Sequence, residues 1–168
     1  GALNFATYMS TNSLSMTTND WALFMLGTND VFSASNDDTA ITQAAADITR
    51  VNALETSIHA YDAGIRIGIC LPIPPANQDG FGESYGVTYQ AWRFKRNIHF
   101  YSLELIKALK NQETAKKIYL CPVNISLDTI NNTAFSTEDA NSHSTEQVKR
   151  YTNGVHPATI GYNQMGDN

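Results

Sequence analysis

Three short, continuous apolar runs most tightly constrain what this chain can fold into. They cover residues 21–26, 65–71 and 118–123. Each run is uninterrupted rather than alternating, which is typical of parallel strands whose two faces are both covered. The runs therefore predict three buried, parallel β-strands.

Amphipathic helical patterns separate these runs. Apolar residues recur at three- and four-residue steps over about 39–63, and a second such stripe covers about 88–111. A third helix is predicted to begin at Pro157, because proline suits the first turn of a helix. The order strand, helix, strand, helix, strand, loop, helix predicts an α/β fold with right-handed crossovers and helices on both faces of a parallel sheet.

Three polar segments leave the carboxyl ends of the predicted strands. They span residues 27–38, 72–87 and 124–155 and are rich in Gly, Pro, Asn or Ser. Ligands of parallel sheets bind beyond these strand ends, and loops there often carry the function of a domain. We therefore expect the functional residues in these segments.

The composition argues against several classes of partner. The 168 residues carry a net charge of −5, which argues against a general affinity for nucleic acid. No apolar run approaches the roughly 20 residues that span a bilayer, so no membrane partner is expected. The histidines and cysteines are too scattered for a metal site, and no metal or organic cofactor is predicted. Cys70 and Cys121 are interpreted as buried free thiols, with a disulfide as the alternative.

Two short motifs carry the chemical signal. A Gly-Thr-Asn-Asp motif at 27–30 closes the first apolar run, so it places an amide side chain at the carboxyl end of a strand. An Asn-Gly-Val-His-Pro motif at 153–157 precedes the last predicted helix and holds an imidazole in a loop. Each motif also has an ordinary structural interpretation: an Asn that caps a turn, and a surface histidine at a helix start.

Together the two motifs resemble conserved blocks of the SGNH, or GDSL, hydrolase family. The resemblance implies a three-layer, flavodoxin-like fold with a five-stranded parallel sheet. It makes residues 1–168 the C-terminal part of one such domain, covering about strands three to five and their helices. No Gly-Asp-Ser occurs in the sequence. An upstream half of the domain, in the same or a separate chain, is therefore expected to supply the first two strands and the nucleophilic serine.

The resemblance also implies roles for individual residues. His156 would act as general base and then as general acid. Asn29 would donate a hydrogen bond to the oxyanion of the tetrahedral intermediate. Gly27 would let the chain turn tightly, and Asp30 would brace the oxyanion loop rather than react. The implied activity is that of a serine esterase on a small acyl ester or an acetylated carbohydrate.

Asn153 departs from the family pattern, which has an Asp three residues before the histidine. An amide can orient an imidazole but carries no charge, and in a serine protease the Asp-to-Asn change lowers turnover by about 10⁴-fold. Three interpretations stay open: a Ser–His dyad, a substitute acid, or a degenerate site. The candidate substitutes in the preceding loop are Asp128, Glu138 and Asp139.

Two other functions compete with ester hydrolysis. The same scaffold could serve as a non-catalytic glycan-binding or structural module, and a weaker alternative is a flavodoxin-like ligand-binding domain. The aromatic residues Phe81, Tyr85 and Tyr89 are either a wall of a carbohydrate pocket or part of a rigid connector. Trp21 and Trp92 are expected in the core.

Overall fold

The computed structural model describes residues 4–86 and 88–167, apart from the side chains of residues 83 and 84. It shows a mixed α/β architecture with a three-stranded parallel sheet and a separate two-stranded hairpin. Among the described residues, no helix combines the length and the apolar character that crossing a bilayer requires. The elements in chain order are α1 (Phe5–Thr11), β1 (Trp21–Met25), α2 (Thr28–Phe32), α3 (Asp37–Tyr61), β2 (Arg66–Cys70), α4 (Gln78–Tyr85), α5 (Ala91–Leu109), α6 (Glu113–Lys116), β3 (Ile118–Cys121), a 3-10 turn (Val123–Ile125), β4 (Phe135–Asn141), β5 (Ser144–Tyr151) and α7 (Thr159–Gly166).

The three predicted apolar runs form the parallel sheet, which confirms that part of the prediction. β1 pairs with β2, and β2 pairs with β3, so the order of strands in the sheet follows their order in the chain. Ala22 lies opposite Ile67, which in turn lies opposite Ile118. Because all three strands are parallel, their carboxyl ends meet at one edge of the sheet.

The long helices α3 and α5 cover one face of the sheet. Ala22, Ile67 and Ile118 are buried beneath them. Burial of a large apolar side chain stabilises a fold by about 1.5–3 kcal/mol. The two predicted amphipathic stripes therefore hold the helices on the sheet. Helix residues in the same hydrophobic core include Val51, Leu54, Ile58, Phe94, Ile98 and Leu105.

The opposite face of the sheet is largely open among the described residues, which corrects the prediction of a sheet covered on both faces. The β1 side chains on this face, Trp21, Leu23 and Met25, are 45%, 62% and 41% exposed. The Tyr119 ring of β3 lies beside Trp21, with ring centroids 4.8 Å apart. Helix α7 reaches only the border of this face, through Met165. We call it the open sheet face; its residues are Trp21, Leu23, Met25, Cys70, Tyr119 and Cys121.

Two further predictions about side-chain burial need correction. Neither tryptophan lies in the core: Trp21 is on the open sheet face, and Trp92 is 63% exposed on the first turn of α5. Cys70 and Cys121 are free thiols, but they are half-buried rather than buried because they too lie on the open sheet face.

Local contacts shift the ends of the helices. The side chain of Asn36 accepts the Thr39 N–H at 2.8 Å and caps α3, so the helix begins before residue 39. Helix α7 begins at Thr159, two residues after the predicted start. Pro157 instead forms an isolated antiparallel bridge with Thr133, and this pairing keeps it outside the helix.

The segment predicted as a long loop at 124–155 contains an antiparallel hairpin, β4–β5. Polar side chains occupy both faces of this hairpin, so no apolar face signals its strands. Its base is anchored by Tyr151, which is buried and donates its hydroxyl to the Ile130 carbonyl at 2.8 Å. The Tyr151 backbone N–H donates to the Asp79 carboxylate of α4 at 3.1 Å.

Candidate active site

The segments that follow the three parallel strands are tied together at the carboxyl edge of the sheet. The Ala76 N–H, in the segment after β2, donates to the Gly154 carbonyl at 2.8 Å. Gly154 also packs against α4, because a Cβ placed there would lie 2.5 Å from the Phe81 Cα. The turn that carries His156 is therefore docked on the segment that follows β2.

Gly27 forms the tight turn between β1 and α2, as the sequence predicts. It has φ of +93° and is buried. A Cβ at this position would lie 2.2 Å from Cζ of Tyr101, whose ring packs directly against the glycine. Only glycine combines this left-handed backbone with such a close approach. The turn leaves Asn29 exposed on α2.

Asn97 of α5 holds the far end of α2. Its buried side-chain amide donates to the Val31 carbonyl at 3.0 Å and to the Ala34 carbonyl at 2.7 Å. The Arg93 guanidinium donates to the Asn97 side-chain oxygen at 2.8 Å and fixes the amide in this orientation. Buried amides that are fully hydrogen-bonded specify one geometry, so α5 determines where α2 lies.

The Asp30 carboxylate contacts side chains of α3. Its carboxylate lies 3.6 Å from the Arg50 guanidinium and 3.5 Å from the Gln43 amide. Arg50 also pairs with the buried carboxylate of Asp47, which accepts the Tyr101 hydroxyl at 3.1 Å. Burial and the Asp47 carboxylate both raise the pKa of Tyr101. Through Arg50 and Asp47 these contacts join Asp30 to Tyr101, the side chain that packs on Gly27.

Asn153 shapes the turn that presents His156. Its side-chain oxygen accepts the Val155 N–H at 2.9 Å and the His156 N–H at 2.8 Å. Asn153 thus fixes the backbone under His156, and its oxygen is engaged there rather than at the imidazole. The Asn153 side chain also hydrogen-bonds to Tyr85, whose pKa is raised by burial and lowered by this bond, with burial the larger effect.

The imidazole of His156 is exposed and approaches one phenol. Its Nδ1 lies 3.5 Å from the Tyr162 hydroxyl, at the outer limit of hydrogen bonding. Among the described side chains, no carboxylate forms an ion pair with this ring. Tyr162 is a neighbour that the sequence reasoning missed, because its position depends on α7 starting at Thr159.

The structure does not bring the three candidate acids to the His156 ring. Asp128 caps its own turn, accepting the Ile130 and Asn131 N–H groups at 2.9 and 3.0 Å. The Asn131 side chain, followed by these backbone donors, lowers the pKa of Asp128. On the hairpin, Glu138 pairs with Arg150 at 3.0 Å, and Asp139 accepts the Gln147 amide.

One aromatic cluster supports both α2 and the His156 turn. Phe32, at the end of α2, stacks on Phe81 with ring centroids 5.4 Å apart, and Phe81 packs on Gly154. Phe81 is fully buried, so it is core rather than the wall of a pocket. Tyr85 and Tyr89, both half-buried, each lie 4.7 Å from the Phe32 ring. The residues of this aromatic cluster are Phe32, Phe81, Tyr85, Tyr89 and Phe94.

A large groove lies away from these residues. It has a volume of about 730 Å³ and runs along the open sheet face and the 3-10 turn, without contact to Asn29 or His156. The side chains of β1 alternate between exposed and buried or half-buried, and the exposed ones line this groove. The continuous apolar run in the sequence does not reveal this alternation.

Comparison with known proteins adds no relative. No protein-family model matches the sequence, and no curated protein or solved structure matches it either.

Proposed function

We propose that this chain supplies the general base and an oxyanion donor of an SGNH-type serine ester hydrolase with a flavodoxin-like fold. The observation that carries the proposal is the shared support of two exposed side chains. Asn29 and His156 follow different strands of the sheet, and the aromatic cluster packs under the segments that present both. This arrangement suits a site built at the carboxyl edge of a parallel sheet.

The proposed chemistry uses the two side chains in sequence. A serine hydroxyl attacks the ester carbonyl while the neutral imidazole of His156 accepts its proton. The Asn29 amide donates to the oxyanion as the tetrahedral intermediate forms. His156 then returns the proton to the leaving alcohol, and water, activated by the same imidazole, hydrolyses the acyl-enzyme. No step in this sequence requires a metal or an organic cofactor.

The serine is proposed to come from a segment that pairs with the free edge of β1. Two observations support this addition. β1 is an edge strand of the parallel sheet, and the face beside it exposes Trp21, Leu23 and Met25. Exposed edges and large apolar patches of this kind mark association surfaces. A strand added here would pair with this edge and extend the carboxyl edge toward Asn29.

In this proposal Asn153 acts through the backbone. Its side-chain oxygen accepts the His156 N–H. Asn153 thus fixes the backbone position of His156 and places no charge beside the imidazole. The site then works as a Ser–His dyad, with Tyr162 as the neighbour of Nδ1. The proposed substrates are small acyl esters, such as acetyl groups on a carbohydrate, which the resemblance to SGNH hydrolases implies.

A second candidate function has one specific observation in its favour. None of Asp128, Glu138 and Asp139 is aimed at His156; each is engaged in its own turn or hairpin. A degenerate scaffold that binds glycans without cleaving them would need no such acid. This alternative predicts binding without covalent chemistry.

Labelling with a fluorophosphonate, which reacts with activated serines, distinguishes the ester hydrolase from the glycan-binding module. We expect the full-length protein that carries this chain to be labelled at one serine outside residues 1–168. The label should be lost in His156→Ala and retained in His143→Ala, a matched change of an exposed histidine at the hairpin turn. Equal labelling of both variants, or none in the wild-type protein, would contradict the hydrolase.

A further inference from the structure

Three sulfur-bearing residues form a row across the open sheet face. Met25 of β1 lies opposite Cys70 of β2, which lies opposite Cys121 of β3. Partners in register on neighbouring parallel strands are about 4.8 Å apart and project to the same face. The row lines the groove of about 730 Å³, which Met165 of α7 also borders.

The two thiols of the row lie on neighbouring strands at paired register positions. Burial first, and then the charge and hydrogen bonding of the adjoining Cys121 thiol, together raise the pKa of Cys70 to about 11. A Cβ at Gly68 would lie 3.1 Å from the Cys121 sulfur, so this sulfur leans over β2 toward the strand of Cys70. Both cysteines are free and half-buried, so the pair is preformed and accessible from the groove.

We propose that Cys70 and Cys121, with the Met25 thioether, bind a soft monovalent metal ion of the Cu(I) class. Thiolate and thioether ligands select such ions. Binding displaces the two thiol protons to solvent, so two thiolates and one cation leave a site with a single negative charge, and no electron is transferred. The inference is independent of the proposed hydrolysis, because Asn29 and His156 do not line the groove.

The donor set distinguishes a Cu(I)-class ion from zinc. Structural zinc sites take four N, S or O ligands in a tetrahedron. In the described part of the chain, no group of three or more His, Cys, Asp or Glu side chains is placed to hold a metal. The other titratable groups on the face are Tyr119 and Arg66, and the Arg66 guanidinium lies over the Trp21 ring at 5.6 Å. Sulfur therefore dominates the site.

The test measures metal retained per chain after the reduced, full-length protein that carries this chain is exposed anaerobically to Cu(I) and exchanged into metal-free buffer. We expect one Cu(I) per chain, resistant to equimolar Zn²⁺. Competition with a chromogenic Cu(I) chelator should show affinity at least about 100-fold lower in Cys70→Ser and Cys121→Ser, since even loss of an outer-shell partner costs 10–100-fold. Met25→Leu should weaken binding less than either cysteine variant.

Matched controls separate ligation from folding. Met16→Leu changes a methionine that lies outside the groove and should retain wild-type affinity. Circular dichroism should show that the cysteine variants keep their secondary structure. The proposal is overturned if wild-type and Cys70→Ser proteins retain equal Cu(I), if Zn²⁺ displaces the ion, or if the reduced wild-type protein retains no metal.

Discussion

The side-chain oxygen of Asn153 accepts the backbone N–H of His156 at 2.8 Å. Asn153 therefore supports the histidine through the main chain. A carboxylate can accept the same N–H group, whereas a methyl group cannot. The turn should consequently tolerate Asn153→Asp and be damaged by Asn153→Ala.

We expect Asn153→Ala to lower the free energy of unfolding by about 1–2 kcal/mol, because two backbone donors lose their acceptor. Asn153→Asp should stay close to the wild type. Urea denaturation followed by circular dichroism measures both. If Asn153→Ala and Asn153→Asp are equally stable, the capping role assigned to the amide is incorrect.

Gly27→Ala should destabilise the fold strongly. The new Cβ would meet Tyr101 at 2.2 Å on a backbone with φ of +93°. Overpacking and a left-handed non-glycine residue each cost about 1–3 kcal/mol, so we expect a combined loss of roughly 3 kcal/mol or more. The matched control is Gly82→Ala in α4, where a Cβ meets nothing within 4 Å and should be neutral or slightly stabilising. Thermal denaturation of the two variants gives the comparison.

Asp37 should make stability depend on pH. Hydrogen bonds from Arg96 and then Arg93 hold the pKa of this carboxyl well below its usual range. A pKa lower in the folded than in the unfolded state stabilises the fold above the unfolded value of about 4, and this is lost as the pH falls through the folded value. Asp37→Asn should therefore be less stable than the wild type at neutral pH, with the difference shrinking in acid.

The control for Asp37 is its neighbour in the same helical turn. Asp38 is exposed and makes no ion pair among the described residues, although both carboxylates lie in the first turn of α3. Asp38→Asn should show little of this pH-dependent difference. Equal pH dependence of the two variants, measured by urea denaturation from neutral pH to below pH 4, would show that the Arg96 and Arg93 contacts contribute nothing.

The open sheet face should drive association of the isolated chain. Leu23 is 62% exposed at the centre of an edge strand, and edge strands with apolar faces associate. We expect the 168-residue chain to sediment as oligomers or aggregates and Leu23→Lys to shift it toward monomer. Ile130→Lys is the control, since Ile130 is 61% exposed but lies in a loop after β3. A cooperatively folded wild-type monomer would argue against an association surface here.

The sheet and its long helices could be predicted because their signal is apolar periodicity. The three runs became β1, β2 and β3, and the stripes became α3 and α5. The hairpin β4–β5 could not be found this way, since both of its faces are polar and its strands are joined by pairs such as Glu138–Arg150. The exposure of the second sheet face could not be predicted either, because a continuous apolar run does not reveal which neighbour covers it.

The residues of the candidate site also differ in how far the sequence could predict their positions. Gly27 was predictable, since only glycine adopts its backbone without strain. The contact between Asn153 and the backbone of His156 was not, because an Asn can hydrogen-bond a ring or a main chain equally well and only the turn geometry decides. The support from Asn97 and Tyr101 depends on packing between residues distant in sequence, for which a single sequence carries no signal.

Loss of the proposed oxyanion donor, Asn29, should affect turnover more than substrate binding. In the full-length protein we expect Asn29→Ala to lower kcat by about 10²–10³-fold with a smaller change in KM, because the donor matters most once the oxyanion has formed. Asn163→Ala, an exposed amide on α7, is the matched control. A change in KM alone would assign Asn29 to ground-state binding instead.

The most direct test of the account is the rate at which the full-length protein hydrolyses 4-nitrophenyl acetate, compared between the wild type and His156→Ala. We predict turnover by the wild type that falls on the acid side of neutrality as the imidazole is protonated, and none above background for His156→Ala. His143→Ala should be as active as the wild type. Equal rates for the wild type and His156→Ala, or glycan binding by a wild-type protein that cleaves no short ester, would contradict the hydrolase.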